Sequence, residues 1–147
     1  FNLRGWAGYV EQYDDTERVP LFDRFFLGGP NTLRGFKYRK VGPKDEDEEP
    51  VGGKTAAYFI AEYSVPIAQY VRVAAFYDGG LVWARMFEKD EEEAYVGDGM
   101  FNSDLGVGVR LDFPGFPIQL DYAWPLKADE MNDRPQGRFS FWIGYKY

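Results

Sequence analysis

SDLGVGVRLDF, residues 103–113, alternates along its length between two kinds of side chain. One face carries the apolar side chains of Leu105, Val107, Val109 and Leu111, and the other face carries small or charged ones. A period of two residues is typical of a β-strand whose two faces meet different surroundings. The segment therefore predicts a strand with one apolar and one polar face.

The same alternation recurs on both sides of this segment. FPIQLDYAWPL (116–126) repeats it, and in RFSFWIGYKY (138–147) only Trp142 departs from it. The remaining candidates are less regular and cover residues 1–10, 55–65 and 71–83. Six candidate strands separated by turn-forming residues predict an all-β, antiparallel fold.

The composition excludes several functional classes. The 147 residues contain neither Cys nor His, which removes disulfides, thiolate nucleophiles, His general bases and the usual zinc sites. A net charge of -7 argues against a nucleic-acid partner. The acidic runs at 44–49 and 88–93 lack the ligand spacing of a calcium loop and are interpreted as solvated loops. We therefore expect no enzyme, no cofactor and no metal site.

The connections between the strands alternate in length. Long segments at about 14–54, 84–102 and 127–137 alternate with tight turns at 66–69 and 114–117. An outer-membrane barrel has this asymmetry, because its loops are long on the outside of the cell and short on the periplasmic side. The pattern therefore favours an antiparallel transmembrane β-barrel in the outer membrane of a Gram-negative-type cell envelope.

A soluble antiparallel sandwich or a lipocalin-like barrel would show the same alternation, with the apolar face turned inward. The alternation itself does not say which face is inside. Aromatic residues near the strand ends favour the membrane, where they would form an interfacial girdle. They are Tyr9, Tyr63, Trp83, Trp124, Tyr145 and Tyr147. Since outer-membrane barrels close with about eight strands or more, residues 1–147 are interpreted as the C-terminal part of a larger barrel.

The segment RFFLGGPNTLRGF (24–36) fits neither a strand nor a helix. It resembles the inward-folded loop of the Omp85 superfamily, in which an aromatic-rich RF-x-x-GG stretch precedes a [VIL]-RG-[FY] tetrapeptide. Leu33, Arg34, Gly35 and Phe36 match that tetrapeptide. Further matches in the same order are similar to the BamA-like branch: VGP (41–43), GGKTAAYFIAEYSVP (52–66), AAFYDGGLVW (74–83), DYAWPL (121–126) and the final RFSFWIGYKY.

The resemblance implies a docking site for this loop. In the family the motif Arg contacts an aromatic and an acidic residue of the inner barrel wall, so Arg34 is expected to meet Phe76 and Asp78, with Glu62 nearby. An Arg can bond a carboxylate while stacking on a ring, which suits such a site. The loop hairpin would be shaped by Gly28, Gly29 and Pro30.

The resemblance also implies a function, namely insertion of other barrels into the outer membrane through strand pairing at a weak lateral seam. Residues 138–147 would form the last strand of that seam. Its C-terminal β-signal would comprise Phe139, Phe141, Gly144 and Tyr147. The expected partners are the lipid bilayer, nascent outer-membrane proteins and, through N-terminal domains absent from this sequence, periplasmic assembly-complex lipoproteins.

Two other functions share parts of this pattern. A translocase of the same superfamily, of the two-partner secretion or TamA-like kind, would carry the same loop motif. A passive structural barrel or porin would carry the same strands but would not need Arg34. The sequence leaves these alternatives open.

Overall fold

The structure, a computed structural model, describes residues 1–11, 20–44, 47, 49–83, 101–128 and 137–144. Each strand is antiparallel to the next, in the order β1-β2-β3-β4-β5-β6. This confirms the predicted all-β, antiparallel fold. The strands are β1 (Asn2–Tyr9), β2 (Thr55–Ala68), β3 (Val71–Trp83), β4 (Asn102–Leu111), β5 (Ile118–Lys127) and β6 (Arg138–Ile143), with one 3-10 turn at Leu21–Asp23.

The first tight turn is shorter than predicted. Instead of turning at Pro66, β2 continues to Ala68, and Pro66 pairs with Arg72 of β3. The ladder shifts register between Pro66 and Ala68, an irregularity of the kind that admits a residue without a backbone N–H donor. The β2–β3 turn is therefore confined to Gln69 and Tyr70.

The other predicted boundaries differ by a few residues. The strand predicted at 116–126 begins at Ile118, after a turn at Pro114 and Gly115. The last strand is described as far as Ile143, and the predicted strand positions 145–147 lie outside the described residues. The acidic run 88–93 and three positions of the run 44–49 also lie outside the described residues.

The two faces of the sheet have opposite character. The outer face exposes apolar side chains, including Val107 (51% exposed) and Phe141 (52%). The inner face buries charged ones, including Asp104 (0%) and Asp121 (2%). A soluble sandwich would bury its apolar face, whereas a transmembrane barrel presents that face to lipid. The structure therefore favours the membrane form of the two alternatives.

The inner face is covered by the segment between β1 and β2. This segment forms bridges from Phe25 to Gly53 and from Leu27 to Val41. Its apolar side chains pack onto the wall in one buried cluster, which comprises Leu27, Leu33, Phe36, Val41, Ala56 and Val82. The long loop thus folds inward as expected, and the cluster holds its tip against the strands. No helix of the described residues is long and apolar enough to cross a bilayer.

Candidate functional site

The loop tip is shaped by two consecutive glycines. Gly28 and Gly29 have φ angles of 104° and 102°, which residues with a side chain rarely adopt. The N–H of Gly28 donates to Oγ1 of Thr32 (2.9 Å), and the N–H of Gly29 is shared between the carbonyl oxygens of Leu33 and Phe36 (3.0 and 3.1 Å). Pro30 lies in the turn that follows. These contacts close a tight hairpin that projects the next residues towards the wall.

Arg34 binds Asp78 of β3 at two points. Its Nε donates to Oδ2 and its Nη2 donates to Oδ1, each at 2.7 Å. The backbone N–H of Arg34 adds a third contact to Oδ2 at 3.2 Å. Arg34 is 2% exposed and Asp78 is fully buried. Burial alone would lower the pKa of Arg34, but the hydrogen bonds and charges of Asp78, Asp121 and Glu62 together outweigh it and raise that pKa, so the guanidinium stays charged.

The same guanidinium lies against an aromatic ring. Its Cζ is 3.3 Å from the ring centroid of Phe76, which is 2% exposed. In addition, Nη1 donates to Oε2 of Glu62 at 2.9 Å and, more weakly, to Oδ2 of Asp121 at 3.4 Å. Arg34 is therefore held by a ring and by carboxylates from β2, β3 and β5. A planar guanidinium can satisfy all of these contacts at once, and a Lys ammonium cannot.

The other residues of the tetrapeptide make different contacts with the wall. The N–H of Gly35 donates to Oδ2 of Asp104 in β4 at 2.8 Å. A Cβ at position 35 would lie 2.6 Å from the Cβ of Asp104, so only glycine permits this approach. Leu33 (0% exposed) and Phe36 (2%) belong to the buried apolar cluster. The tetrapeptide thus combines apolar anchors with a polar tip.

Three further wall residues belong to the site, although the sequence did not single them out as partners of the loop. They are Asp104, Arg110 and Asp121, which lie at polar positions of the alternating strands β4 and β5. Arg110 donates from Nη2 and Nε to Glu62 (2.7 and 3.2 Å) and from Nη1 to Asp121. The strand alternation was the available signal, because these residues share the inner face with Glu62 and Asp78.

The site is rich in charge for a buried cluster. Four carboxylates surround two guanidinium groups, those of Arg34 and Arg110. Buried ions are costly unless they are paired, so the cluster depends on the loop remaining in place. Within the described ranges, no group of three or more acidic, His or Cys side chains is arranged to hold a metal. The chemistry that the site supports is non-covalent binding of a guanidinium through ion pairs, hydrogen bonds and ring stacking.

The predicted β-signal residues lie elsewhere. Phe139 and Phe141 of β6 point outward and are 62% and 52% exposed. Gly144 has a φ angle of 108°, and its N–H donates to the carbonyl oxygen of Pro117 at 2.9 Å. Tyr147 lies outside the described residues. The structure thus separates these side chains from the loop site, which occupies the opposite face of the sheet.

Comparison with known proteins gives consistent results. The model of the Omp85 superfamily domain matches residues 1–147. The outer membrane protein assembly factor BamA of Neisseria meningitidis serogroup B is 30% identical over 168 residues, which covers 97% of this chain. That of Nitratidesulfovibrio vulgaris is 27% identical over 129 residues, which covers 86% of the chain. The chain spans 21% and 16% of the length of these relatives.

A solved structure shows the same fold. BamA from Haemophilus ducreyi, crystallised without POTRA domains 1-3, superposes with a TM-score of 0.74 at 22% sequence identity. The match covers 97% of this chain and 31% of that one. The six-stranded sheet with its covered inner face is therefore similar to part of a known outer-membrane barrel.

Proposed function

The chain belongs to the Omp85 superfamily, and on that premise we propose that it is the barrel section of an outer-membrane protein assembly factor. Its curated relatives in two bacteria carry that name. The chain spans only part of their length, so the proposed activity is that of a longer protein containing this section.

One observation carries the proposal, namely the buried docking of Arg34 onto the wall. A passive barrel has no need of a loop whose Arg makes a two-point bond to Asp78, a bond to Glu62 and a ring contact with Phe76. Burying so many charges costs free energy that a pore wall could avoid with smaller polar residues. We attribute that cost to a function of the loop in holding the wall in its working shape.

The proposed mechanism is strand pairing at the edge of the sheet. Among the described strands, β6 (Arg138–Ile143) pairs with β5 alone. A strand at an edge presents a row of backbone N–H and C=O groups that can pair with an incoming strand. An outer-membrane protein would form its first strand pair there. The proposal involves no covalent step, in keeping with the absence of Cys and His from the sequence.

The proposed surroundings follow from the two faces of the sheet. The apolar outer face would contact the lipid of the outer membrane. The client proteins would be unfolded outer-membrane proteins, and periplasmic lipoproteins would bind through other parts of the longer protein. These partners are extrapolated from the names of the relatives and from the family resemblance.

Replacement of Arg34 by Ala in the full-length protein tests the proposal. We expect folded client barrels to decrease while the variant itself still accumulates in the outer membrane. Arg34→Lys should be nearly as defective, because an ammonium group lacks the two-point geometry and the flat stacking surface. The measurement is the amount of folded client, divided by the amount of the variant.

Arg39→Ala is the matched control. Arg39 lies in the same loop, but its guanidinium stacks on Phe26 of the loop (4.1 Å). We expect this variant to assemble clients normally. Normal client assembly by Arg34→Ala at a normal level of the variant would instead favour a passive barrel and would refute the proposed role of the loop.

A further inference from the structure

We propose that Arg110 is a positioning residue that prepares the barrel wall to receive Arg34. This inference deepens the proposed function, since it concerns how the docking site of the loop is built. Arg110 lies in β4, and among the described residues its contact with the loop is indirect, through other side chains. Arg110 forms ion pairs with two carboxylates, those of Glu62 in β2 and Asp121 in β5. Arg34 also contacts both of these carboxylates, in addition to Asp78.

The two guanidinium groups share their acceptors. Oε2 of Glu62 accepts from Nη1 of Arg34 at 2.9 Å and from Nη2 of Arg110 at 2.7 Å. Oδ1 of Asp121 accepts a hydrogen bond from Arg110, and Oδ2 accepts one from the side-chain amide of Gln119. Arg34 also donates to Oδ2, but at the longer distance of 3.4 Å. Arg110 is therefore the main cationic partner of Asp121, and it makes two hydrogen bonds to Glu62 where Arg34 makes one.

The charge balance explains why such a residue is needed. Without Arg110, Arg34 would be the only described guanidinium facing three buried or half-buried carboxylates, namely Glu62, Asp78 and Asp121. Asp121 would keep a buried charge with no close cation, or it would pull the guanidinium away from Asp78 and Phe76. Either result weakens docking, because an uncompensated buried charge is costly and a displaced guanidinium loses its two-point bond.

The backbone beneath Arg110 has room for this arrangement. A Cβ at Gly108 would lie 2.5 Å from Nη1 of Arg110 and 2.7 Å from the carbonyl oxygen of Leu120, and it would also collide with Oδ1 of Asp121. The glycine thus lets the Arg110 side chain lie flat against β5. If Arg110 only filled space on the inner face, it would not need a glycine at position 108.

Arg72 provides a matched control on the neighbouring strand. It lies directly opposite Arg110 in the β3–β4 register and also faces inward. Its guanidinium binds Asp112, with Nε and Nη2 at 2.6 and 2.9 Å from the two carboxylate oxygens. Arg72 therefore shares the sheet position and charge of Arg110, but it makes no hydrogen bond to Glu62 or Asp121 among the described contacts.

The test measures docking directly. A single cysteine is placed at Leu33, which is fully buried when the loop is docked, in a full-length protein that has no other cysteine. The rate of its reaction with a soluble maleimide reports release of the loop. Arg110→Met should raise that rate about tenfold, the effect of losing hydrogen bonds to charged groups, whereas Arg72→Met should change it less than about twofold.

A double variant separates positioning from simple structural support. In Arg110→Met with Asp121→Asn, the uncompensated charge is gone while the close contacts of Arg34 remain, so labelling should be slower than in Arg110→Met alone. If Arg110 merely tied β4 to β5, the double variant would label at least as fast as the single one. That result, or a labelling rate in Arg110→Met no higher than in the parent, would overturn the inference.

Arg110→Lys keeps the inference testable if Arg110→Met does not yield a folded barrel. Lysine keeps the charge but cannot reach both carboxylates with separate nitrogens, so its labelling rate should exceed that of the parent by about threefold. A rate equal to the parent's would count against positioning. Because labelling measures docking and not client assembly, failure here is distinguishable from failure of the proposed function.

Discussion

Phe76 and Gly106 lie opposite each other in the β3–β4 ladder, and the ring of Phe76 fills the space that a side chain at position 106 would occupy. The guanidinium of Arg34 rests on the same ring, 3.3 Å from its centroid. The distance of the Phe76 ring from the sheet therefore determines where the guanidinium of Arg34 can stack. A glycine on one strand thus determines how closely a loop can approach the neighbouring strand.

Adding one methyl group at this position should loosen the loop. In Gly106→Ala the new Cβ would collide with the ring of Phe76 and lie 2.6 Å from the carbonyl oxygen of Tyr122, so the ring that supports Arg34 must shift. We expect docking to weaken by about 1–3 kcal/mol, the usual cost of overpacking. Maleimide labelling of a cysteine at Leu33 would measure this. Gly5→Ala in β1 is the control, because a Cβ there lies 3.9 Å from its nearest neighbour, and equal labelling of both variants would contradict the prediction.

Removing the charge of Asp78 should be more harmful than removing that of an exposed carboxylate. Asp78→Asn leaves Arg34 buried without its two-point partner, which should lower the free energy of unfolding by about 3 kcal/mol. Asp112→Asn breaks the Arg72 pair, whose side chains are 42% and 40% exposed, and should cost less than about 1 kcal/mol. Urea denaturation of the full-length barrel in lipid vesicles measures both. Equal losses would show that burial does not decide the effect.

The ring of Phe76 should contribute beyond its apolar bulk. Phe76→Leu keeps a large apolar side chain but removes the π face under Arg34, so docking should weaken by about 1 kcal/mol. Phe59→Leu is the control, because Phe59 is a ring of β2 that is 37% exposed on the outer face. Labelling at Leu33→Cys should accelerate in the first variant and stay at the parent rate in the second.

The outer face should reject charge. Val107 of β4 is 51% exposed on that face, so a Lys there would be tolerated in a soluble protein. In a bilayer, Val107→Lys should cost about 2–4 kcal/mol if the residue lies near the middle of the membrane. Val107→Leu should be close to neutral. The yield of folded barrel in lipid vesicles checks both, and equal yields would count against contact of this face with lipid.

The strands were predictable because each of them faces two different environments. The alternation in residues 103–113 predicted β4, and the same rule predicted the other five strands to within a few residues. The exception was the turn at Pro66, which depends on a local shift of register that no pattern of side chains reveals. The alternation also left open which face was inside, since that depends on what covers the sheet.

The site was predictable only in part. The contacts of Arg34 with Asp78, Phe76 and Glu62 were inferred from family resemblance, and the structure contains all of them. The contributions of Arg110 and Asp121 depend on contacts among β2, β4 and β5, and β3 lies between β2 and β4 in the sheet, so these contacts arise only when the strands are in register. Strand alternation gave their face but could not give their partners.

The tip of the loop has a mechanical consequence. Through Arg34 and Gly35 it is bonded to side chains of β2, β3, β4 and β5, which are four consecutive strands. Separating any two of these strands would first require removing the buried guanidinium of Arg34 from its carboxylate partners. The four strands therefore respond to force together, as one stiff panel. In the described part of the sheet, β1 and β6 lie outside this panel and are joined to it by their ladders with β2 and β5, so compliance under lateral tension is concentrated at these two edges.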